Sequence, residues 1–392
     1  MDVRAILLIG APPTGGERIA DRPIATVDVL GRPVAYHLAE HLRACGVEQI
    51  SAVAASERPT GFYRAADLGK TANWIHCSEQ ELWRSCEHLF AEYAQDGAEL
   101  LVVCRMGAYA ELNLDALIQF HLDQQARITR VNDEEGPLGI FVISASRRND
   151  AAFLFRRQLA EFRSAPAEFR FSGYVNRLQG AADLRRLTVD ALYQRNTIKP
   201  VGKQIRPGVW VADGARIERG VRIVAPAFIG SRSKVRASAV ITRATALERH
   251  SQVDCGTVVE DSSILPFTYV GAGLDVSHAV VGEQRLAHLH RNVEVEIADP
   301  KLIATLSHSP SVRALKGVAA LAKLVPAELV RGLFTGPRRE QPVPEAIQAP
   351  AAAVDASAIP EQKRSRKLVG TVSESAPDFS GNLAVMRRYG NE

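Results

Sequence analysis

The chain has 392 residues, of which 46% are hydrophobic, and is long enough for two or three domains with substantial cores. Its formal net charge is only +4, from 48 basic and 44 acidic residues, which argues against an extended nucleic-acid-binding surface. Five scattered cysteines form no C-x-x-C pair, as expected of free thiols in a reducing compartment. No apolar run reaches 18 residues, and the sequence predicts a cytoplasmic protein.

Strand and helix patterns alternate over the first half of the chain. In chain order the patterns predict strand 5–10, helix 33–44, strand 49–55, helix 79–95, strand 99–104, helix 113–125, strand 127–131 and strand 139–145. Such alternation is typical of a mostly parallel sheet that helices cover on both faces. We expect this α/β domain to span residues 1–198.

A different period follows. Every sixth residue is aliphatic at Val211, Ile217, Ile223, Ile229, Val235, Ile241, Leu247, Val253, Val259 and Leu265, and after a five-residue step the series continues at Val270 and Val276. An α-helix has no reason to prefer a period of six. In a triangular parallel β-helix, by contrast, each six-residue unit forms one face with its aliphatic residue pointing inward. The sequence therefore predicts a β-helix over residues 205–298, with about four coils at three units per coil.

The last part of the chain changes character twice. Residues 300–335 have helical apolar spacing with interspersed cations, which predicts an amphipathic helical segment. Two placements are open: the segment caps the β-helix or packs on the first domain, or residues 311–334 contact a membrane surface peripherally. Residues 336–392 are rich in Pro and Ala, carry the basic run "KRSRK", and are predicted to be a disordered basic tail.

Several motifs of the first domain fit one known family. The stretch "LLIGAPPTGGERIADRPIATVDVLGRPVAYHL" places Arg22-Pro23 and Gly31-Arg32-Pro33 after a strand and a Gly-rich loop. The stretches "LVVCRMGAYAELNLDALIQFH", "GIFVIS" and "GYVNRLQGAADLRRLTVDAL" follow in the same order. Together with the hexapeptide repeats, they resemble the sugar-1-phosphate nucleotidyltransferases, which make NDP-sugars. The resemblance implies an α/β fold, with a Rossmann-like nucleotidyltransferase domain followed by a left-handed parallel β-helix.

The resemblance also implies which positions should carry the chemistry. The family uses a lysine in R-P-K-P to hold phosphate, and two aspartates to hold the Mg²⁺ that offsets charge on the reacting phosphates. The matching positions here are Ile24, Met106 and Arg177. The family's internal E-K-P segment has no counterpart. We therefore expect no catalytic residues, no bound metal and no cofactor at this site.

A phosphate could still bind where the metal does not. The residues that the resemblance and their charge suggest for a nucleotide or phosphate are Gly10, Gly15, Gly16, Arg18, Arg22, Arg105 and Arg177. Two interpretations of Arg177 are open. Either Arg105 and Arg177 replace the charge of the metal, and the domain senses a nucleotide-sugar, or the cleft is filled and Arg177 is a surface side chain.

Two further functions remain as alternatives. An active Mg²⁺-dependent NDP-sugar synthase would need relocated ligands, for which the nearest carboxylates are Asp21, Asp28, Glu111 and Asp115. A hexapeptide-repeat acyltransferase would use a histidine of the coils as general base, and the candidates are His250, His278, His288 and His290. His37 and His41 have zinc-ligand spacing without a third ligand and are expected on a helix surface. Cys104 is expected to pack in the core.

The sequence thus favours a catalytically degenerate nucleotidyltransferase-like protein of sugar-nucleotide or polysaccharide biosynthesis. Its expected role is that of a nucleotide-sugar sensor or a scaffold. The expected partners are a nucleotide or nucleotide-sugar, a second copy of the chain, or another protein of a polysaccharide pathway. Nucleic acid is not expected.

Overall fold

The computed structural model describes residues 1–10, 18–19, 22–55, 72–145 and 167–306, all of which belong to one compact unit, Met1–Val325. The helical segment predicted to follow the β-helix lies largely outside the described residues, and the basic tail lies outside them entirely. Gly15, Gly16 and Asp21 are outside them as well. In the part of the chain that is described, no helix is both long enough and apolar enough to span a membrane.

The N-terminal part is a mixed sheet of seven strands. The strands are β1 (Val3–Ile9), β2 (Gln49–Ala55), β3 (Asn73–Cys77), β4 (Leu100–Arg105), β5 (Ile128–Asn132), β6 (Pro137–Ser144) and β7 (Ala167–Arg170). Their order in the sheet is β7-β5-β6-β4-β1-β2-β3. The four strands β4, β1, β2 and β3 are parallel, whereas β6 is antiparallel to both of its neighbours. The outer pair, β5 and β7, is also parallel, so β6 alone runs against the other six strands, and the sheet is mixed but mostly parallel, as predicted.

Four helices cover the two faces of this sheet. They are α1 (Val34–Ala44), α2 (Leu82–Gln95), α3 (Leu114–Asp123) and α4 (Ala181–Leu192). Because side chains alternate along β1, Ile6 and Leu8 pack with α2, and Leu7 and Ile9 pack in a larger core with α1, α3 and α4. Short pairings complete this part: Arg18–Ile19 with Arg22–Pro23, Asp28–Val29 with Arg32–Pro33, and Tyr109–Ala110 with Val175–Asn176. Two 3₁₀ turns, Ile24–Thr26 and Glu79–Glu81, are also present.

The C-terminal part consists of short strands in three stacked ladders. One ladder contains Val209–Val211, Ala227–Ile229, Thr245–Leu247, Ser263–Ile264 and Ala279–Gly282; the second contains Arg216–Ile217, Lys234–Val235, Gln252–Val253 and Thr268–Val270; the third contains Arg222–Ile223, Val240–Thr242, Val258–Glu260 and Asp275–Ser277. All these pairings are parallel, and in the first coils partners lie 18 residues apart, as Val211 and Ile229 do. This arrangement is consistent with the predicted β-helix of three units per coil.

Antiparallel strands pair with the terminal strands of two of these ladders. Lys203–Arg206 precedes the first ladder, and Arg285–His288 and Val293–Glu296 follow its last parallel strand. Ile303–Thr305 pairs with Thr268–Val270 in the second ladder.

The period of six predicts the inward-facing residues except at Leu265 and Ile217. Ile223, Ile229, Val235, Ile241 and their successors form the core of the coils. The five-residue step comes one repeat earlier than the sequence suggested, because Ile264 pairs with Leu247 and fills the core. Leu265 points instead into the core shared with the α/β part. Ile217 is 38% exposed.

The β-helix packs directly against the α/β part. Phe228, Ala246, Leu265 and Val280 lie outside the coils and share one core with α1 and α4. Phe228 lies so close to Gly31 that a Cβ on this glycine would be 3.2 Å from the ring. Gly31 also has φ +97°, which favours glycine, so the G-R-P turn is fitted to the coil surface.

A buried ionic cluster joins the same two surfaces. The Glu248 carboxylate accepts hydrogen bonds from the backbone N–H groups of Leu30, at 2.7 Å, and Gly31, at 2.8 Å. Beside it, Arg249 Nε lies 2.7 Å from Asp28 Oδ2, and the Asp28 side chain is fully buried. These contacts connect residues more than 200 positions apart and fix the turn before α1 on the coils.

The free energy of unfolding of the wild-type protein, relative to that of Glu248→Gln, is expected to fall as the pH rises from about 4.3 to 8. Burial, followed by repulsion from Asp28, raises the pKa of Glu248 to about 8, whereas a glutamate in the unfolded chain titrates near about 4.3. Between these values folded Glu248 holds a proton that the unfolded chain has lost, so its contribution to stability is greatest at the acid end. Groups that titrate in both proteins, such as buried His37, cancel in the difference. Denaturant unfolding of the two proteins measures the difference, and a difference that does not change with pH would contradict the assignment.

Candidate nucleotide-binding site

Two of the three positions that the resemblance matches to catalytic residues lie in the hydrophobic core. Ile24 is in the 3₁₀ turn and is 3% exposed. Met106 follows β4, its N–H donates to Leu8 O at 2.9 Å, and its side chain packs in the core with α1. Neither side chain has an oxygen or a charge for Mg²⁺ or phosphate.

The third position, Arg177, is held by carboxylates. It follows the short strand Val175–Asn176, which pairs with Tyr109–Ala110 beyond the end of β4. Its guanidinium forms ion pairs with Asp133 and with Glu135, whose Oε2 lies 3.0 Å from Nε. It also donates to Gly136 O at 3.3 Å. The side chain is only 17% exposed, so it is not a free surface cation.

Asp133 is also held by backbone hydrogen bonds within its own turn. Its Oδ1 accepts the N–H groups of Glu135 and Gly136, both at 2.9 Å, and closes the turn between β5 and β6. This turn therefore places the carboxylates of Asp133 and Glu135 together against the Arg177 guanidinium. A phosphate at the guanidinium would have to displace both carboxylates.

Arg105, another cation suggested for a phosphate, has a different environment from Arg177. It ends β4, is about half buried, and forms no hydrogen bond or ion pair through its side chain with any residue the structure describes. Burial lowers the pKa of its guanidinium below the ordinary value. The backbone of Gly139, at φ +72°, packs so closely that an added Cβ would lie 3.1 Å from Arg105 O. The position of Arg105 is therefore fixed by the sheet.

The Gly-rich loop is described only at its ends. Gly10 follows β1, and an added Cβ there would lie 2.6 Å from Leu82 Cδ2, so a larger residue would have to displace the end of the Leu82 side chain. The backbones of Arg18 and Arg22 lie on the paired strands Arg18–Ile19 and Arg22–Pro23. Gly15 and Gly16 lie outside the described residues, whereas Gly10 lies two residues beyond Leu8, which pairs with Arg105.

Two of the carboxylates considered as relocated metal ligands of an active synthase, Asp28 and Glu111, contact other residues. Asp28 pairs with Arg249 at the junction with the β-helix, and Glu111 Oε1 accepts from Tyr109 Oη at 3.1 Å and from Thr197 Oγ1 at 2.6 Å. Asp115 lies in the first turn of α3. Over the described ranges, these carboxylates form no group of three metal ligands.

The two α1 histidines and Cys104 are all at least partly buried. His37, expected on a helix surface, is buried; it bonds Val29 O at 2.8 Å, and burial lowers its pKa to about 4. This prediction was wrong because α1 is covered on that face by the turn at Val29. His41, half buried, bonds Leu112 O at 3.0 Å. Cys104 packs in the core as expected, and burial raises the pKa of its thiol to about 12.

The coil histidines are separated into two places. His250 stacks on Phe267 with ring centroids 4.7 Å apart. His278, His288 and His290 gather at another corner, where His278 Nδ1 lies 2.6 Å from Asp261 Oδ2. The sequence suggested these three histidines but not Asp261, although Asp261 lies 17 residues before His278, one coil away.

Replacing Arg177 by methionine is expected to destabilise the protein by about 1–3 kcal/mol, because Asp133 loses a largely buried partner. Arg170→Met is the matched control, since Arg170 is exposed at the end of β7 and should change the free energy of unfolding little. Denaturant unfolding compares the two variants. Equal losses would show that the Arg177 ion pairs contribute nothing specific.

No family model matches the chain, and no curated protein sequence matches it either.

Proposed function

We propose that the chain is a catalytically inert nucleotidyltransferase-like protein, with a left-handed β-helix, that serves as a scaffold in sugar-nucleotide or polysaccharide biosynthesis. The observation that carries this proposal is the ion pairing of Arg177 with Asp133 and Glu135. An arginine stands where the resemblance implies the second metal ligand, and its charge is already balanced. The guanidinium has no lone pair for a metal ion and engages both nearby carboxylates, so the position does not offer the ligand oxygen that the family needs there.

The packing of Ile24 and Met106 supports the same proposal. Both side chains are part of the core, so their replacement by lysine or aspartate would bury a charge. Both positions therefore serve the core and carry no group that could hold a phosphate or a metal ion. The framework of strands and helices around them is intact, which is what a structural role requires.

The ends of the largest β-helix sheet support a role in protein assembly. The strands Lys203–Arg206 and Val293–Glu296 are the edges of this sheet in the described ranges, and all their residues are exposed. One edge carries two cations, and the other carries Glu294 and Glu296. Exposed strand edges are sites where another chain can add a strand.

The proposal is tested by calorimetry combined with an assay for pyrophosphate release. The full chain is titrated with nucleoside triphosphates, sugar-1-phosphates and NDP-sugars, with and without Mg²⁺. We expect no turnover under any condition. Mg²⁺-dependent pyrophosphate release would overturn the proposal in favour of an active synthase. Metal-independent binding of an NDP-sugar that is lost in Arg105→Ala would overturn the scaffold role in favour of a nucleotide-sugar sensor.

A further inference from the structure

One corner of the β-helix concentrates metal-binding side chains that the proposed function does not use. Asp261 directly follows the strand Val258–Glu260, and His278 directly follows the strand Asp275–Ser277 one coil later. His290 belongs to the loop after Arg285–His288. One ligand atom from each of the three side chains lies within 4.8 Å of the other two.

We propose that Asp261, His278 and His290 bind a transition-metal ion of the Zn²⁺ class. Two imidazole nitrogens and one carboxylate oxygen are the donors that such ions prefer, whereas Mg²⁺ and Ca²⁺ prefer oxygen alone. Zinc bonds to nitrogen and oxygen are about 2.0–2.2 Å long, which puts two ligands of a tetrahedral ion about 3.4 Å apart, so the three atoms must approach one another by up to about 1.4 Å to share one ion. A three-ligand set leaves a fourth position for water.

Backbone hydrogen bonds hold the three ligands in place without metal. His278 N–H donates to Glu260 O at 3.1 Å, which ties it to the residue before Asp261. Leu289 N–H donates to His278 O at 2.8 Å, which fixes the residue before His290. The strand Arg285–His288 also pairs with Ala279–Gly282. A site built on stacked strands is more rigid than one built on a free loop.

A second layer of contacts orients the carboxylate. Arg185 Nη2 lies 2.8 Å from Asp261 Oδ1, which leaves Oδ2 toward His278. Burial raises the pKa of Asp261, but hydrogen bonds from Arg185 and His278 outweigh it and hold the pKa below its ordinary range. Outer hydrogen bonds of this kind are usual for metal-bound carboxylates.

The rings show which side chain has to move. His278 and His290 stack with centroids 3.9 Å apart and planes 26° apart. Nitrogen lone pairs lie in the ring plane, so one ring must turn for both to face the same ion. His290 is exposed and turns without disturbing the core. Nearby, the buried Nδ1 of His288 has no hydrogen-bond partner among the described residues and offers one more donor atom.

Zinc titration of the untagged, chelator-treated full chain tests this site. We expect one Zn²⁺ per chain by calorimetry and a Co²⁺ absorption spectrum typical of four-coordinate nitrogen and oxygen ligands, and no uptake of Mg²⁺. His290→Ala and Asp261→Asn should each weaken Zn²⁺ binding by about 100-fold or more, since loss of outer hydrogen bonds alone costs about 10- to 100-fold.

His88→Ala is the matched control, because His88 is an exposed histidine on α2 and should leave binding unchanged. Thermal unfolding of the metal-free proteins verifies that each variant is folded. The absence of saturable binding to the wild-type chain, or binding that persists in both His290→Ala and Asp261→Asn, would overturn the proposal. Neither result bears on pyrophosphate release, so this test and that of the proposed function fail independently.

Discussion

Replacing Glu248 by alanine is expected to lower the free energy of unfolding by about 3–5 kcal/mol, the largest effect among the variants considered. The carboxylate is buried and is the acceptor for both Leu30 N–H and Gly31 N–H. Alanine leaves two buried donors without a partner, each of which costs about 1–3 kcal/mol, and it also leaves a cavity. Denaturant unfolding measures the loss.

Glu218→Ala is the matched control for this prediction. Glu218 is also a β-helix carboxylate that accepts a backbone N–H, from Ala237 at 3.0 Å, and pairs with Arg236 at 3.2 Å. It is 45% exposed, so water replaces the lost contacts, and we expect a loss of at most about 1 kcal/mol. A Glu248→Ala protein as stable as Glu218→Ala would show that Glu248 does not hold the turn on the coils.

The architecture could be predicted from the sequence because it rests on periods that apolar residues repeat many times. A single misplaced position, such as Leu265 for Ile264, does not disturb a series that continues to Val276. The alternation of Ile6 and Leu8 with Leu7 and Ile9 is likewise local. Burial of apolar side chains follows from position in the element, and position can be counted along the chain.

The candidate site was harder to predict because its contacts join distant residues. The resemblance matches Arg177 to a metal ligand of the family, but its partner Asp133 lies 44 residues away, in the turn between β5 and β6. A charged residue has no period that reveals what it will face. From the sequence, a phosphate-binding Arg177 and a surface Arg177 were therefore both open, and the observed ion pairs match neither.

The junction with the β-helix was missed for the same reason. Glu248 and Arg249 follow Leu247 at a coil corner, where charged residues are usually solvated. Only the packing of α1 and its preceding turn against the coils makes them buried. The one local signal is the neighbouring pair of opposite charges directly after an inward-facing leucine, and this signal alone does not separate a buried pair from an exposed one.

The contacts between α4 and the β-helix lead to the second large prediction. Arg185→Ala is expected to lower the free energy of unfolding by about 2–4 kcal/mol. The Arg185 side chain is 5% exposed, pairs with Asp261 at 2.8 Å and donates to Ser263 Oγ at 3.2 Å. Alanine removes these contacts together with the packing of the long aliphatic stem. Asp261 is 33% exposed, so water partly compensates it, and the loss is smaller than for a fully buried pair.

Arg186→Ala separates this effect from a general loss of charge on α4. Arg186 is the next residue of the helix, is 54% exposed, and pairs only with Asp183 in the same helix, at 3.3 Å. Its removal should change stability by less than about 0.5 kcal/mol. Arg185→Met keeps much of the aliphatic stem without the charge, so it should recover part of the lost free energy of unfolding. The part recovered measures the packing of the stem, and the remainder measures the ion pair and hydrogen bond. If Arg185→Ala and Arg186→Ala unfold at the same denaturant concentration, α4 is held on the coils by its apolar residues alone.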